Sequence, residues 1–199
     1  MITENKILIK NAREALSGKW GTAVVAFLIY ALISGALGAI PFAGALITML
    51  IMGPLMLGWT RFSMLIARNE EASINQLFEG FNDFMRPFIT YLLMVIFIIL
   101  WMILLIIPGI IAAHAYSMTF YIMNDDPSIG GMDALRKSKE MMYGYKWKLF
   151  CLGLRFIGWA LLCLLTFGIG YLWLVPWIQV SAAKFYDDIK DNPIEKKLQ

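Results

Sequence analysis

Charge is scarce in this sequence. Only 16% of its 199 residues are Asp, Glu, Lys or Arg, against about 25% in a typical soluble domain, while 60% are hydrophobic and the mean hydropathy is +0.69. That shortage excludes an ordinary globular protein and a disordered chain, and a net charge of +3 is too small for a nucleic-acid module. Cysteine and histidine are nearly missing. Cys151 and Cys163 fall in one expected helix, at roughly 1.5 Å of rise per residue too far apart for a disulfide. With a single histidine and no CxxC, neither a zinc site nor a redox motif is expected. Also absent are HExxH, GxSxG and GxxxxGK[ST], the spacings that hold a metal, expose a nucleophile or cradle phosphates. The expectation is a protein that is not an enzyme and carries no cofactor.

What is present is uninterrupted apolar sequence. Residues 20–60, 87–124 and 156–183 contain no charged side chain, and each run exceeds the roughly 20 residues that cross a bilayer. Each is broken near its middle, at 38–44, at Pro108-Gly109 and at 168–170. Pro removes a helical donor and Gly supplies turn geometry, so the breaks read as hairpin tips. The expected fold is a single all-α membrane domain over 1–199, with six spans in three hairpins at about 20–66, 87–124 and 149–187. Span four, about 109–124, is short for a full crossing and is expected to be either tilted or re-entrant. The three tips lack Lys and Arg, whereas nearly every cation lies on the opposite side, including Arg136, Lys137, Lys139, Lys146 and Lys148. The positive-inside rule makes that side cytoplasmic, with both termini. A five-span arrangement would place those five cations outside.

An amphipathic segment precedes each hairpin, at about 4–19, 73–86 and 130–148. Over 74–85, Ile74, Leu77, Phe78, Phe81, Phe84 and Met85 share one face of a helical wheel. Residues 6–19 carry cations early and no unbroken apolar core, so they read as such a helix and not as a secretory signal. In the third segment Lys137, Lys139, Lys146 and Lys148 flank an apolar stripe, as in a helix lying among lipid headgroups with its ammonium groups at the phosphates. A glycine recurs after each segment (Gly18, Gly80, Gly144), hinting at a threefold internal repeat.

Few polar groups fall within the spans. His114 reads either as a proton or substrate contact or as a neutral ring bonded to a neighbouring helix. Arg155 reads either as snorkelling to the interface or as paired at depth, where an unpaired charge is costly. Gln179 is placed to hydrogen-bond across helices. Asp125 and Asp126, before Pro127 and Ser128, read as the start of the following helix.

The block over 134–146, with Ser138, Met142 and Gly144 as its most specific positions, resembles the bacterial membrane-protein family known as domain of unknown function 975. Gly18-Lys19-Trp20, Leu77, Gly80-Phe81, Pro108-Gly109 and Phe185-Tyr186 fit the same family. Arg155 and Trp177 depart from it, standing where a small polar residue and a Tyr are expected. The family is also similar to the membrane domain of some glycerophosphodiester phosphodiesterases, whose catalytic domain has no counterpart here. The resemblance implies a bacterial plasma membrane and supplies no reaction. The expected function is non-enzymatic, through contacts with anionic lipids or a membrane-protein partner and without nucleic acid, such as an accessory or immunity-like partner of an export system. The alternative is a small transporter, flippase-like protein or channel, its path near His114, Arg155 and Gln179.

Overall fold

The computed structural model describes residues 2–38 and 43–192, all helix and connection with no strand among them. The helices are α1 (Asn5–Ala15), α2 (Trp20–Gly38), α3 (Ala43–Ala67), α4 (Gln76–Glu79), α5 (Met85–Leu104), α6 (Ile106–Tyr116), α7 (Thr119–Asp125), α8 (Gly131–Met141), α9 (Lys146–Leu165) and α10 (Tyr171–Asp191). Four stretches are long and apolar enough to cross a membrane: Ile47–Ala67, Met85–Leu104, Ile106–Asp125 and Lys146–Leu165. The α1–α2 pair, bent by 99°, makes a fifth where the two count as one broken span. Length and composition thus mark a multi-pass membrane protein. Though 21 residues long, α10 is not among these stretches, because Lys184, Asp187 and Asp188 charge its last turns.

The helix packing is cyclic. Three inner helices (α3, α6–α7, α10) each support a short helix: α4 lies on α3, α8 on α7, and α1 on α10. Each of three outer helices (α2, α5, α9) sits between two of the inner ones. Thus α2 touches α3 and α10, α5 touches α6 and α3, and α9 touches α10 and α6. Contact between the ends of the chain, α1 on α10, closes the ring. At its centre α3 meets both α7 and α10, and α7 meets α10 through stacked Tyr121 and Tyr186, their centroids 5.4 Å apart.

Burial follows this plan. The inner stretches Ile47–Ala67 and Ile106–Asp125 are 61% and 56% buried, the outer α5 and α9 only 11% and 17%. The core draws on the amphipathic helices (Leu8, Ala12, Leu16, Leu77, Met142) and on the charged ends of the inner helices (Phe62, Ile66, Tyr121, Phe185, Tyr186, Ile189). Away from it the hairpins protrude with Ile103, Leu104, Leu105, Ile106, Leu165 and Phe167 exposed. Apolar area on that scale stays out of water only when lipid or another protein covers it.

Two corners are built alike. Gly18 and Gly144 both adopt a positive φ, 78° and 79°, a conformation that costs any residue with a Cβ. The hydrogen bonds around them match one for one. Leu16 N–H bonds Ala12 C=O and Lys19 N–H bonds Leu16 C=O, as Met142 bonds Ser138 and Tyr145 bonds Met142. The middle corner differs. In place of a continuous helix over 74–85 there is one helical turn, α4, followed by turns up to Met85. Here Gly80 has an ordinary φ of −62° and serves close approach instead. A Cβ on it would strike the Pro54 carbonyl, and one on Gly58 would strike the Leu77 carbonyl, so α4 lies directly against α3.

The second tip also moves. The chain breaks at Leu105 (φ −162°, ψ 144°), not at Pro108-Gly109. Pro108 instead occupies the first turn of α6, where no N–H has an intrahelical partner to lose. The fourth stretch is therefore Ile106–Asp125, 20 residues or about 30 Å, a full crossing length. The tip expected at 38–44 falls largely on residues 39–42, outside the described residues.

Candidate functional site

Three hydroxyls knit the junction where α6 gives way to α7. Met118 leaves helical geometry (φ −91°, ψ 0°), which frees backbone groups. Ser117 donates to the His114 carbonyl at 2.8 Å and Thr119 to the Tyr116 carbonyl at 2.7 Å. From α8, Ser138 donates to the Ala115 carbonyl at 2.8 Å and accepts from Met118 N–H at 3.2 Å. This gives the family block a physical content. Ser138 satisfies the broken helix, Met142 is fully buried, and Gly144 turns the chain into α9.

That docking fixes where the four lysines stand. Lys137 and Lys139 are exposed on α8 and Lys146 is half-buried at the start of α9; none forms an ion pair or hydrogen bond with the described residues. Lys139 and Lys146 flank a cleft of about 160 Å³ walled by Trp101, Pro108, Ile111 and Ala112. Lys148 is different. Its ammonium lies 2.7 Å from the Asp188 carboxylate and 5.4 Å over the Phe185 ring, so it is committed inside the protein and is removed from the set available to lipid. Burial pushes the Asp188 carboxyl up, but the hydrogen bonds from Lys148 and Thr3 N–H outweigh it and hold the carboxyl below its ordinary range.

A second polar cluster joins the ends of the three inner helices. Arg68, just past α3, binds Asp125 of α7 with two bonds (2.9 and 3.2 Å) and Asp187 of α10 at 2.7 and 3.3 Å. Lys190 at 2.6 Å and the Tyr186 hydroxyl at 3.0 Å complete the shell of Asp125. Planar, two-point arginine–carboxylate pairing fixes orientation as well as charge, so this network clamps the ring. Asp125 is therefore a network node and not part of a helix start. Asp126 accepts from Ser128 N–H and Oγ in a local turn ahead of α8, bonds that hold its carboxyl below the ordinary range.

The three intramembrane polar groups do not converge. Gln179 donates to the Tyr121 hydroxyl at 3.0 Å and lines a cavity of about 290 Å³ together with Thr60 and Ser117 of the inner helices and Met94, Ile98 and Leu149 of the outer ones. His114 bonds its own helix at Ile110 C=O and meets the edge of Phe150 at 6.0 Å. Arg155 is exposed on the outer face of α9 and has no ion-pair partner among the described residues. Neither His114 nor Arg155 lines the Gln179 cavity. Sequence reasoning missed the Arg68 network. The available signal was a single cation and two acids at the ends of three different apolar stretches.

The family model described as protein of unknown function (DUF975) matches residues 1–113 and 95–193. No curated protein and no solved structure matches the chain.

Proposed function

We propose that this chain, which belongs to the DUF975 family of proteins of unknown function, is a non-enzymatic bacterial plasma-membrane protein that works through contacts with anionic lipid along its basic α8–α9 edge. In this reading α2, α3, α5, α6–α7, α9 and α10 form six spans with both termini cytoplasmic, because the cations gather at one end of the helices. The observation that carries it is the cleft beside Lys139 and Lys146. Two ammonium groups without acidic partners among the described residues stand over an apolar wall, a pairing that suits a phosphate above and an acyl chain below. A membrane-protein partner, such as an export component, would need acidic side chains at headgroup depth to use the same edge. The test is retention of phosphatidylglycerol by the purified chain, read by native mass spectrometry from mixed phosphatidylglycerol and phosphatidylcholine micelles. Changing Lys137, Lys139 and Lys146 together to Gln is expected to reduce the retained anionic lipid severalfold. Unchanged retention would sink the reading.

One observation favours a second reading. The cavity beside Gln179 and Tyr121 is lined by the three inner helices together with Met94 and Ile98 of α5 and Leu149 of α9, and a solute path could run through it. It predicts a flux across vesicles that Gln179→Leu abolishes; the lipid reading predicts no such flux.

A further inference from the structure

The cyclic packing relates the α8 cleft to a second groove. In the cleft, the inner helix of one repeat (α6) and its outer partner (α5) face the short helix (α8) and outer helix (α9) of the next repeat. The same four parts meet where the ring closes: α10 and α9 face α1 and α2. The corners superpose in sequence, with Ala12, Leu16 and Gly18 matching Ser138, Met142 and Gly144 in their hydrogen bonds or backbone conformation. At the same offset Arg13 corresponds to Lys139 and Trp20 to Lys146. Between those elements lies a groove of about 660 Å³, lined by Arg13, Trp20, Trp159, Cys163, Trp173 and Trp177 among others. Its volume is in the range that holds a whole small ligand.

We propose that this groove holds one anionic phospholipid, its phosphate on Arg13 and one acyl chain along the tryptophan wall toward Trp173. Charge complementarity selects this occupant. Arg13 is the only charged residue of the lining and forms no ion pair among the described residues, while the adjacent Glu14 pairs with Lys10 at 3.7 Å. The wall is fixed in place. The Trp177 indole N–H donates to Ile9 C=O at 3.0 Å, its ring lies 5.9 Å beneath the Arg13 guanidinium, and Phe156 and Trp159 pack edge-on against it at 5.3 and 5.8 Å. Below the cation the groove follows the distal half of α9, from Trp159 to Cys163, toward the hairpin tip. A flexible chain fits such a strip, whereas a polar solute would meet almost no partner. The inference rests on the proposed function only in placing these helices in a bilayer.

The test reconstitutes the full chain in phosphatidylcholine vesicles containing a minor share of phosphatidylglycerol, with brominated acyl chains carried on one lipid or the other. Bromine quenches tryptophan fluorescence on contact. Wild type is expected to show brominated phosphatidylglycerol enriched at the tryptophans roughly fivefold over its bulk share, the effect of one interfacial cation. Arg13→Gln is expected to lose that enrichment and Arg13→Lys to retain most of it. Enrichment undiminished in Arg13→Gln, or quenching by neither lipid, would overturn the proposal, the latter pointing to a protein occupant such as a second copy of the chain. Combined Lys137, Lys139 and Lys146 to Gln separates the two ideas. If it removes the enrichment and Arg13→Gln does not, the α8 reading survives and this one falls. Loss in Arg13→Gln alone has the opposite meaning.

Discussion

The seam where α4 meets α3 and the seam where α8 meets α6–α7 occupy equivalent places in the ring, yet at one the backbones touch, beside a polar pocket of about 210 Å³, and at the other an apolar cleft is left against α6. Topology does not decide the difference; the residues at the contact do. At the first seam Gly58 and Gly80 let backbone touch backbone. On the open side a hydroxyl, Ser138, reaches the inner helix, and lysines stand where the backbone would otherwise close in. A repeated scaffold can therefore be tight or receptive according to two or three side chains per seam.

Gly80→Val should break the seam of touching backbones with the largest effect. The added side chain would strike the Pro54 carbonyl and crowd the Leu57 Cβ, and overpacking against backbone exceeds the usual cost of about 1–3 kcal/mol for an overfilled core. Thermal unfolding in detergent should show loss of the cooperative transition or a midpoint many degrees lower; a wild-type midpoint would mean the seam is looser than described. Ser138→Ala tests the open seam and should cost about 1–3 kcal/mol, because the buried Ala115 carbonyl and Met118 N–H lose their partner. The same measurement should find Ser138→Thr closer to wild type than Ser138→Ala.

The smallest effect concerns the ring-closing seam. Asp188 holds Lys148 and the Thr3 amide, and its folded carboxyl lies below the ordinary value. Its contribution is therefore complete above the unfolded carboxyl value of about 3.9 and is lost as pH falls through the lower folded value. Wild type should lose unfolding midpoint in that acid window by more than Asp188→Asn does. Equal slopes would show that the pair contributes nothing.

Much of this architecture was legible in the sequence, for a physical reason: hydrocarbon excludes charge, so uncharged runs declare themselves. The glycines at 18 and 144 were legible as corners because only a residue without a Cβ turns there easily. Gly80 carried the same letter for a different purpose, close contact, and so the middle corner was misjudged as a full helix. The tip at Leu105 escaped because Pro108 was read as a terminator when it sits at a helix start. Least legible were pairings between distant residues. Nothing local distinguishes Lys148, held by Asp188, from Lys139, which forms no ion pair among the described residues, and no pattern links Arg68 to Asp125 and Asp187. The lipid-facing set inferred from spacing thus loses one lysine, and the intramembrane trio inferred from polarity dissolves into separate surroundings.

The docking of α1 on α10 has a consequence for biogenesis. Made well before α10, α1 finds its main seat there, with smaller contacts to α3 and α9, so its apolar stripe stays largely uncovered until α10 is in place. Synthesis that stopped before α10 would leave an open arc instead of a ring, with α1 largely homeless.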